Sequence, residues 1–384
     1  MIPGSARRGA TAPPPGNACD DADYARQEEP GIRRVSVRSR LLGAALGTVA
    51  ALGPTTSRAS AHGPSPTDPP TVASLALDWS FDPAVMLPLV AAVAAWLALV
   101  RRVDRAHPAT PVPRVRTLAF LLGIAAIAIA LQSGIERYDT TLFSIHMVQH
   151  LLLTLVAAPL FALSGPVTLL LRAATPATRR RLILPVLNSR VLRVASFPVV
   201  AWLLFAGVMW AAHFSPLFDI ALENRAVHDL EHVLFLASAL LFWWPAVGVD
   251  PAPWRLPHPI RVLYVFLQMP QNTFLAVVIL NAPAALYPHY ATLARSWGPS
   301  PLADQQAAGA LMWVGGDLLF IAAIAAIIAG WMRHEDAEAV RVDRRQDAER
   351  ASIRAREATL AARLADERAA QSNPPGPNEQ RPIS

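Results

Sequence analysis

The 384-residue chain has a single cysteine, Cys19, and no lysine at all, so its 34 basic residues are all arginine. One thiol excludes an internal disulfide and any cysteine-based metal centre in the body of the chain. A metal would have to be held by His, Met or oxygen ligands. Charge is also scarce, at 16% of residues against 53% hydrophobic, with a mean hydropathy of +0.33. That excludes an ordinary soluble domain, because the apolar residues fall in runs of the length a ~30 Å hydrocarbon layer demands of a helix. The net charge of +6 does not point to nucleic acid. The arginines gather in particular loops, as membrane topology requires, and no nucleic-acid partner is expected.

The apolar material is organised along the chain. Residues 1–32 are polar, with Pro13, Pro14 and Pro15 in a row, and are expected to be disordered. Arg33, Arg34, Arg38 and Arg40, then Leu41 to Gly53, then Ala59-Ser60-Ala61 form the pattern of a signal peptide cleaved before His62. This gives a leader over residues 1–61 and a short extracytoplasmic segment over 62–81. Seven apolar runs follow, at Asp82–Val100, Thr117–Ser133, Leu142–Gly165, Ser196–Phe214, Val227–Gly248, Arg261–Ala282 and Asp304–Trp331. The fold class is therefore all-α, a polytopic integral membrane bundle of about seven helices over residues 82–332. Residues 333–384 form a charged tail, partly helical or disordered.

The connections alternate in charge. Those carrying Arg101 to Arg116, Arg172 to Arg193, and Arg255 to Arg261 are arginine-rich, as is the segment from Arg333. The others, near Glu136, Asn224 and Ser300, are nearly balanced. The positive-inside rule then places the N-terminus outside and the C-terminus in the cytoplasm of a bacterial cell, with the chain multi-pass in the cytoplasmic membrane and lipid its immediate partner.

On this topology the histidines converge. His146 and His150 are four residues apart near the outer end of the third run, and His228 and His232 repeat that spacing at the outer start of the fifth. Residues four apart share one helix face, so each pair offers two imidazoles to one point. His213 ends the fourth run on the same side, with Met209 one turn deeper. Asp304 opens the seventh, and Met312 lies two turns further in. Imidazole is the commonest metal ligand and thioether sulfur favours Cu(I), so the set His146, His150, His228, His232, Met209, His213, Asp304 and Met312 is a candidate copper site. Taken singly, His213 and the loop residue His289 read as interfacial or hydrogen-bonding groups, and the methionines as packing.

Two further features compete for a role. Gln268, Gln271 and Asn272 surround Pro270 in the sixth run, and Asp317 lies in the seventh behind Gly315 and Gly316. A carboxylate at that depth either pairs with Gln268 or Asn272 to bind helix to helix, or serves an ion path. His228-Asp229-Leu230-Glu231-His232 matches H-x-x-E-H, in which two His bind zinc and the Glu acts as base of a protease. Two His on different helices could also ligate haem, as in a membrane b-type cytochrome, although the doubled pairs would then go unexplained. A copper transport or resistance role is a further alternative.

The segments LFSIHMVQHLLLTLVAAPLFALSGPVTLLLR (142–172), HDLEHVLFLASALLFWWPAVGVDP (228–251), RVLYVFLQMPQNTFLAVVIL (261–280) and LADQQAAGALMWVGGDL (302–318) resemble the signature of the seven-helix CtaG family of bacterial cytochrome c oxidase assembly proteins. The likeness runs from about Asp82 to Trp331. It implies a non-enzymatic role in assembling haem–copper oxidase, with oxidase subunits as partners and copper held or delivered at the outer face. It carries onto His146, His150, His228 and His232, and less directly onto Asp304, Gln305 and Met312. An unrelated single-span copper chaperone shares the name, but it needs a cysteine pair that this chain lacks.

Overall fold

A computed structural model describes residues 66–293 and 295–372 of the chain. The expected leader, its cleavage site, the histidine at 62 and the extreme C-terminal residues lie outside the described residues. All regular structure among the described residues is helical. The elements of the apolar body are α1 (Pro83–Ala106), α2 (Arg114–Tyr138), α3 (Phe143–Ala173), α4 (Pro198–His213), α5 (Leu217–Glu223), α6 (Arg225–Val247), α7 (His258–Leu280) and α8 (Pro301–Ala369). Six of them are long and apolar enough to cross a bilayer alone. A seventh crossing requires α4 and α5 to count as one span bent by 68°. The fourth run is the deviant one because it is short: α4 has only 16 residues, and Ser215-Pro216 breaks the helix directly after His213.

The bundle buries many small and aromatic residues and leaves many large apolar ones outside. Phe205, Phe235, Phe242, Trp243, Leu275, Ile279 and Phe320 form the main core between α4, α6, α7 and α8. Leu118, Leu203, Val233, Leu263, Phe274 and Ile321 face outward. That inversion is what a helix surface bathed in lipid requires, since lipid tails exert no hydrophobic drive to hide a leucine. α1 stands to one side and packs through Trp96, which stacks on Phe120 of α2 at 4.1 Å.

Two helices depart from regular geometry close to the histidines. α3 widens to a π-helical turn at Leu152–Ala157, immediately after His150, and α8 does so at Leu311–Gly315 around Met312. Such turns re-aim side chains and recur at functional sites. At Gly316 a methyl group would meet the Asn272 amide nitrogen at 2.7 Å, so glycine there leaves room for that side chain between α7 and α8. Asn272 uses that approach to donate to the Met312 carbonyl at 3.0 Å.

The expected partners of Asp317 are corrected here: its carboxylate accepts from Thr273 Oγ1 at 2.9 Å, not from Gln268 or Asn272. The two glutamines of α7 bond to each other, and Asn272 is spent on α8 backbone. The tail continues α8 as an exposed helix, with Ile353, Leu360 and Leu364 all exposed.

Candidate metal centre

The site lies at the end of the bundle where α3, α6 and α8 begin and α4 ends. The start of α3 needs acceptors for its first N–H groups, and Leu142 at the cap position has none to give. Asp304 supplies them from α8, accepting from the Phe143 amide at 2.7 Å and from Ser144 Oγ at 2.5 Å. This cross-helix cap ties the two helices together at the level of the histidines. Asp304, expected among the ligands, is therefore engaged at the helix start. Gln305 beside it straps the loop that precedes α8, accepting from the Leu286 amide at 2.7 Å and donating to the Ile279 carbonyl at 3.2 Å.

Below this point five imidazoles from α3, α4 and α6 meet. Ring centroids are 4.3 Å apart for His146 and His150, 4.2 Å for His228 and His232, and 5.2 Å for His146 and His228. His150 is 6.0 Å from His232 and 6.2 Å from His213. All five are buried. The i, i+4 pairs do share a face, as the spacing requires, and the two faces oppose each other. His213, read singly as an interfacial residue, belongs to the same cluster.

Hydrogen bonds set some of the imidazole tautomers. His213 Nδ1 lies 2.7 Å from the Met209 carbonyl, which can only accept, so Nδ1 carries the proton and Nε2 the lone pair. Gln149 donates to the Ala130 carbonyl at 3.0 Å and to Glu136 at 2.6 Å, which turns its own carbonyl toward His232. His232 Nε2 therefore donates to Gln149 Oε1 at 3.1 Å. Partners of this kind orient metal-binding imidazoles.

Two carboxylates complete the cluster. Asp139, in the turn between α2 and α3, lies 3.7 Å from His228 Nε2. Burial, with the nearby Glu136 carboxylate reinforcing it, holds the Asp139 carboxyl well above the usual range. Glu231, on α6, joins His146 and His150. The ligand atoms of Asp139, His146 and His228 lie within 4.8 Å of one another, and so do those of His146, His150 and Glu231. Both ring nitrogens of His146 and of His150, His213 Nε2, Asp139 Oδ2 and Glu231 Oε2 are buried without a hydrogen-bond partner. Donors so placed suit a cation bound by nitrogen and oxygen, and the set matches copper or zinc chemistry.

A roof closes the site. Tyr287 donates to the His213 carbonyl at 3.2 Å, and Tyr290 to the Asp139 carbonyl at 2.7 Å. His289 Nε2 donates to the Thr140 carbonyl at 2.9 Å, which fits the hydrogen-bonding role expected for it. Phe143, Phe218 and Tyr287 pack together beneath, with Phe143 and Tyr287 centroids 4.7 Å apart.

Of the residues expected from sequence, the structure gathers His146, His150, His213, His228 and His232. Met209 and Met312 lie in the adjoining apolar core, and their backbone carbonyls accept from His213 and Asn272. Asp139 and Gln149 escaped the sequence reading because nothing local marks them. Glu231 was visible in H-x-x-E-H, but its neighbours here are the histidines of α3.

Residues 94–334 match the family of the cytochrome c oxidase caa3 assembly factor (Caa3_CtaG). Uncharacterized proteins of Mycobacterium bovis and Mycobacterium tuberculosis are each 32% identical over 291 residues, covering 73% of this chain and 43% of theirs. One from Mycobacterium leprae is 32% identical over 286 residues, with the same coverage. The chain thus spans less than half the length of these relatives. No solved structure matches. With the match running from α1 into the final helix and taking in every histidine of the cluster, the chain belongs to the cytochrome c oxidase caa3 assembly factor family.

Proposed function

We propose that this protein acts in the assembly of haem–copper oxidase by holding copper in the buried histidine cluster, without catalysing a reaction of its own. One observation carries the reading: imidazole nitrogens of His146, His150 and His213 are buried with no hydrogen-bond partner. A buried polar atom left unpaired costs about 1–3 kcal/mol, and a bound cation would offset several such costs at once. Family membership supplies the oxidase, and arginine asymmetry favours the outer face of the cytoplasmic membrane for the cluster. Oxidase subunits are the partners this implies. A b-type haem fits less well, because the imidazoles contact one another and the rings of Phe218 and Phe235 at 4.3–5.7 Å, close packing for a macrocycle to enter.

The test is copper per protein in the wild type and in a variant with His146, His150, His228 and His232 all changed to Ala, at matched membrane levels. The variant is expected to lose bound copper and to leave oxidase immature, whereas His107→Ala and His258→Ala change neither. Equal copper in variant and wild type would remove the reading. The protease alternative separates through Glu231→Gln, which would abolish proteolysis by a Glu base.

A further inference from the structure

The cluster is built on two levels. α3 and α6 both enter the bundle at this end, so His146 and His228 lie nearer the roof, and His150 and His232 lie one turn deeper, a rise of ~5.4 Å. The carboxylates follow the same division. Asp139 comes from the turn ahead of α3, beneath Tyr290, and groups with His146 and His228. Glu231, nearly a turn into α6 from His228, groups with His146 and His150. Each level thus has one carboxylate and two imidazoles, and His146 belongs to both.

We infer that the site offers a single cation two overlapping positions, an upper one at Asp139, His146 and His228 and a lower one at His146, His150 and Glu231. The inference rests on the copper-holding reading and adds to it how an ion would move. Three features carry it. Both groups satisfy the same spacing, with all candidate ligand atoms within 4.8 Å. Each holds a buried carboxylate oxygen that accepts no hydrogen bond, Oδ2 in Asp139 and Oε2 in Glu231. The shared residue, His146, has no hydrogen bond to lose at either nitrogen, so its ring has no polar partner fixing it to one level. Two cations bound at once would compete for that imidazole and repel each other at short range. One ion is therefore bound at a time. It can pass between levels by exchanging Asp139 and His228 for His150 and Glu231 while His146 stays attached, so it is never without a protein ligand. Each position offers the ion one carboxylate and two imidazoles, so both are expected to be occupied.

The experiment is diffraction at the copper absorption edge from crystals of the full chain loaded with one equivalent of Cu(II) chloride, with copper per protein measured on the same sample. The wild type is expected to hold one copper per chain, divided between two anomalous peaks no more than about 4 Å apart, twice a ~2 Å metal–imidazole bond. Asp139→Asn should leave only the lower peak and Glu231→Gln only the upper, each at full occupancy. His146→Ala should lose both. A single peak in the wild type overturns the inference and leaves copper binding standing, as does the summed occupancy of two peaks reaching two coppers per chain. No copper at the cluster in the wild type removes the copper-holding reading itself. Because the wild type alone decides between one peak and two, the inference stays falsifiable if a variant fails to fold.

Discussion

Replacing Asp304 by Ala separates a structural carboxylate from a metal ligand. Asp304 accepts hydrogen bonds from the Phe143 amide and the Ser144 hydroxyl across 161 and 160 residues of chain, in a buried setting where water cannot replace it. Bonds to a charged acceptor contribute about 1.5–3 kcal/mol each. Losing two, with the remaining donors left without an acceptor, should cost about 3–5 kcal/mol. For a helical domain of roughly 250 residues, each kcal/mol is ~2–4 °C in melting temperature, so the midpoint should fall by about 6–20 °C. Asp304→Asn keeps one acceptor oxygen and should lose about half as much. The assay is thermal challenge of detergent-extracted protein followed by size-exclusion chromatography, with copper measured on the surviving folded fraction. Copper per folded protein should stay at the wild-type value. A variant that melts normally but loses its copper would show that Asp304 is a ligand and that the capping argument is wrong.

Other outcomes follow from the same geometry. Gln149→Leu removes the acceptor that orients His232 and the donor that holds Glu136, so copper affinity should drop ~10–100-fold with the fold retained; an unchanged dissociation constant would show that His232 needs no orienting partner. Ligation requires neutral imidazole, and burial disfavours the charged form, so copper retention should hold through pH ~6.5 and fall only in more acidic solution. Equilibrium dialysis at stepped pH measures this, and loss of copper between pH ~7.5 and ~6.5 would contradict it. Reporter fusions after Asn224 and Ser300 should report outside and those after Ala109 and Ala337 inside; a cytoplasmic signal at Asn224 would invert the topology and put the cluster on the cytoplasmic face.

Much of this architecture was legible in the sequence because it depends on short-range periodicity. Runs of apolar residues mark spans whatever they pack against, and two histidines four apart share a face on any helix. The fourth run was less clear for the same reason: its composition suits a span, yet Pro216 cuts the helix at His213, and only the bent continuation makes up the length. The rest depended on pairs remote in sequence. Asp304 has the chemistry of both ligand and cap, and which it serves is decided by the start of α3, 161 residues away. Asp139 sits in a turn with no pattern around it and enters the site only because α2 and α3 meet there. An amide partner was one of two readings for Asp317, but the Asn272 amide donates to the Met312 carbonyl, and it is Thr273 that donates to Asp317.

The roof has a consequence for time as well as place. Tyr287, His289 and Tyr290 are each anchored to a backbone carbonyl from α4 or from the turn before α3, so the short segment that carries them covers this end of the cluster. On the copper-holding reading, how fast an ion passes this end is set by the opening of that segment, and how tightly it is held is set by the imidazoles below. The two quantities become independent. A change such as His289→Ala, whose lost bond is to the Thr140 carbonyl and not to a proposed ligand, would shorten the residence time of the ion without altering the equilibrium occupancy. A protein that must keep a reactive metal from wandering, yet surrender it to a partner, gains from that arrangement, because a partner that displaces the segment can speed release without first weakening the site.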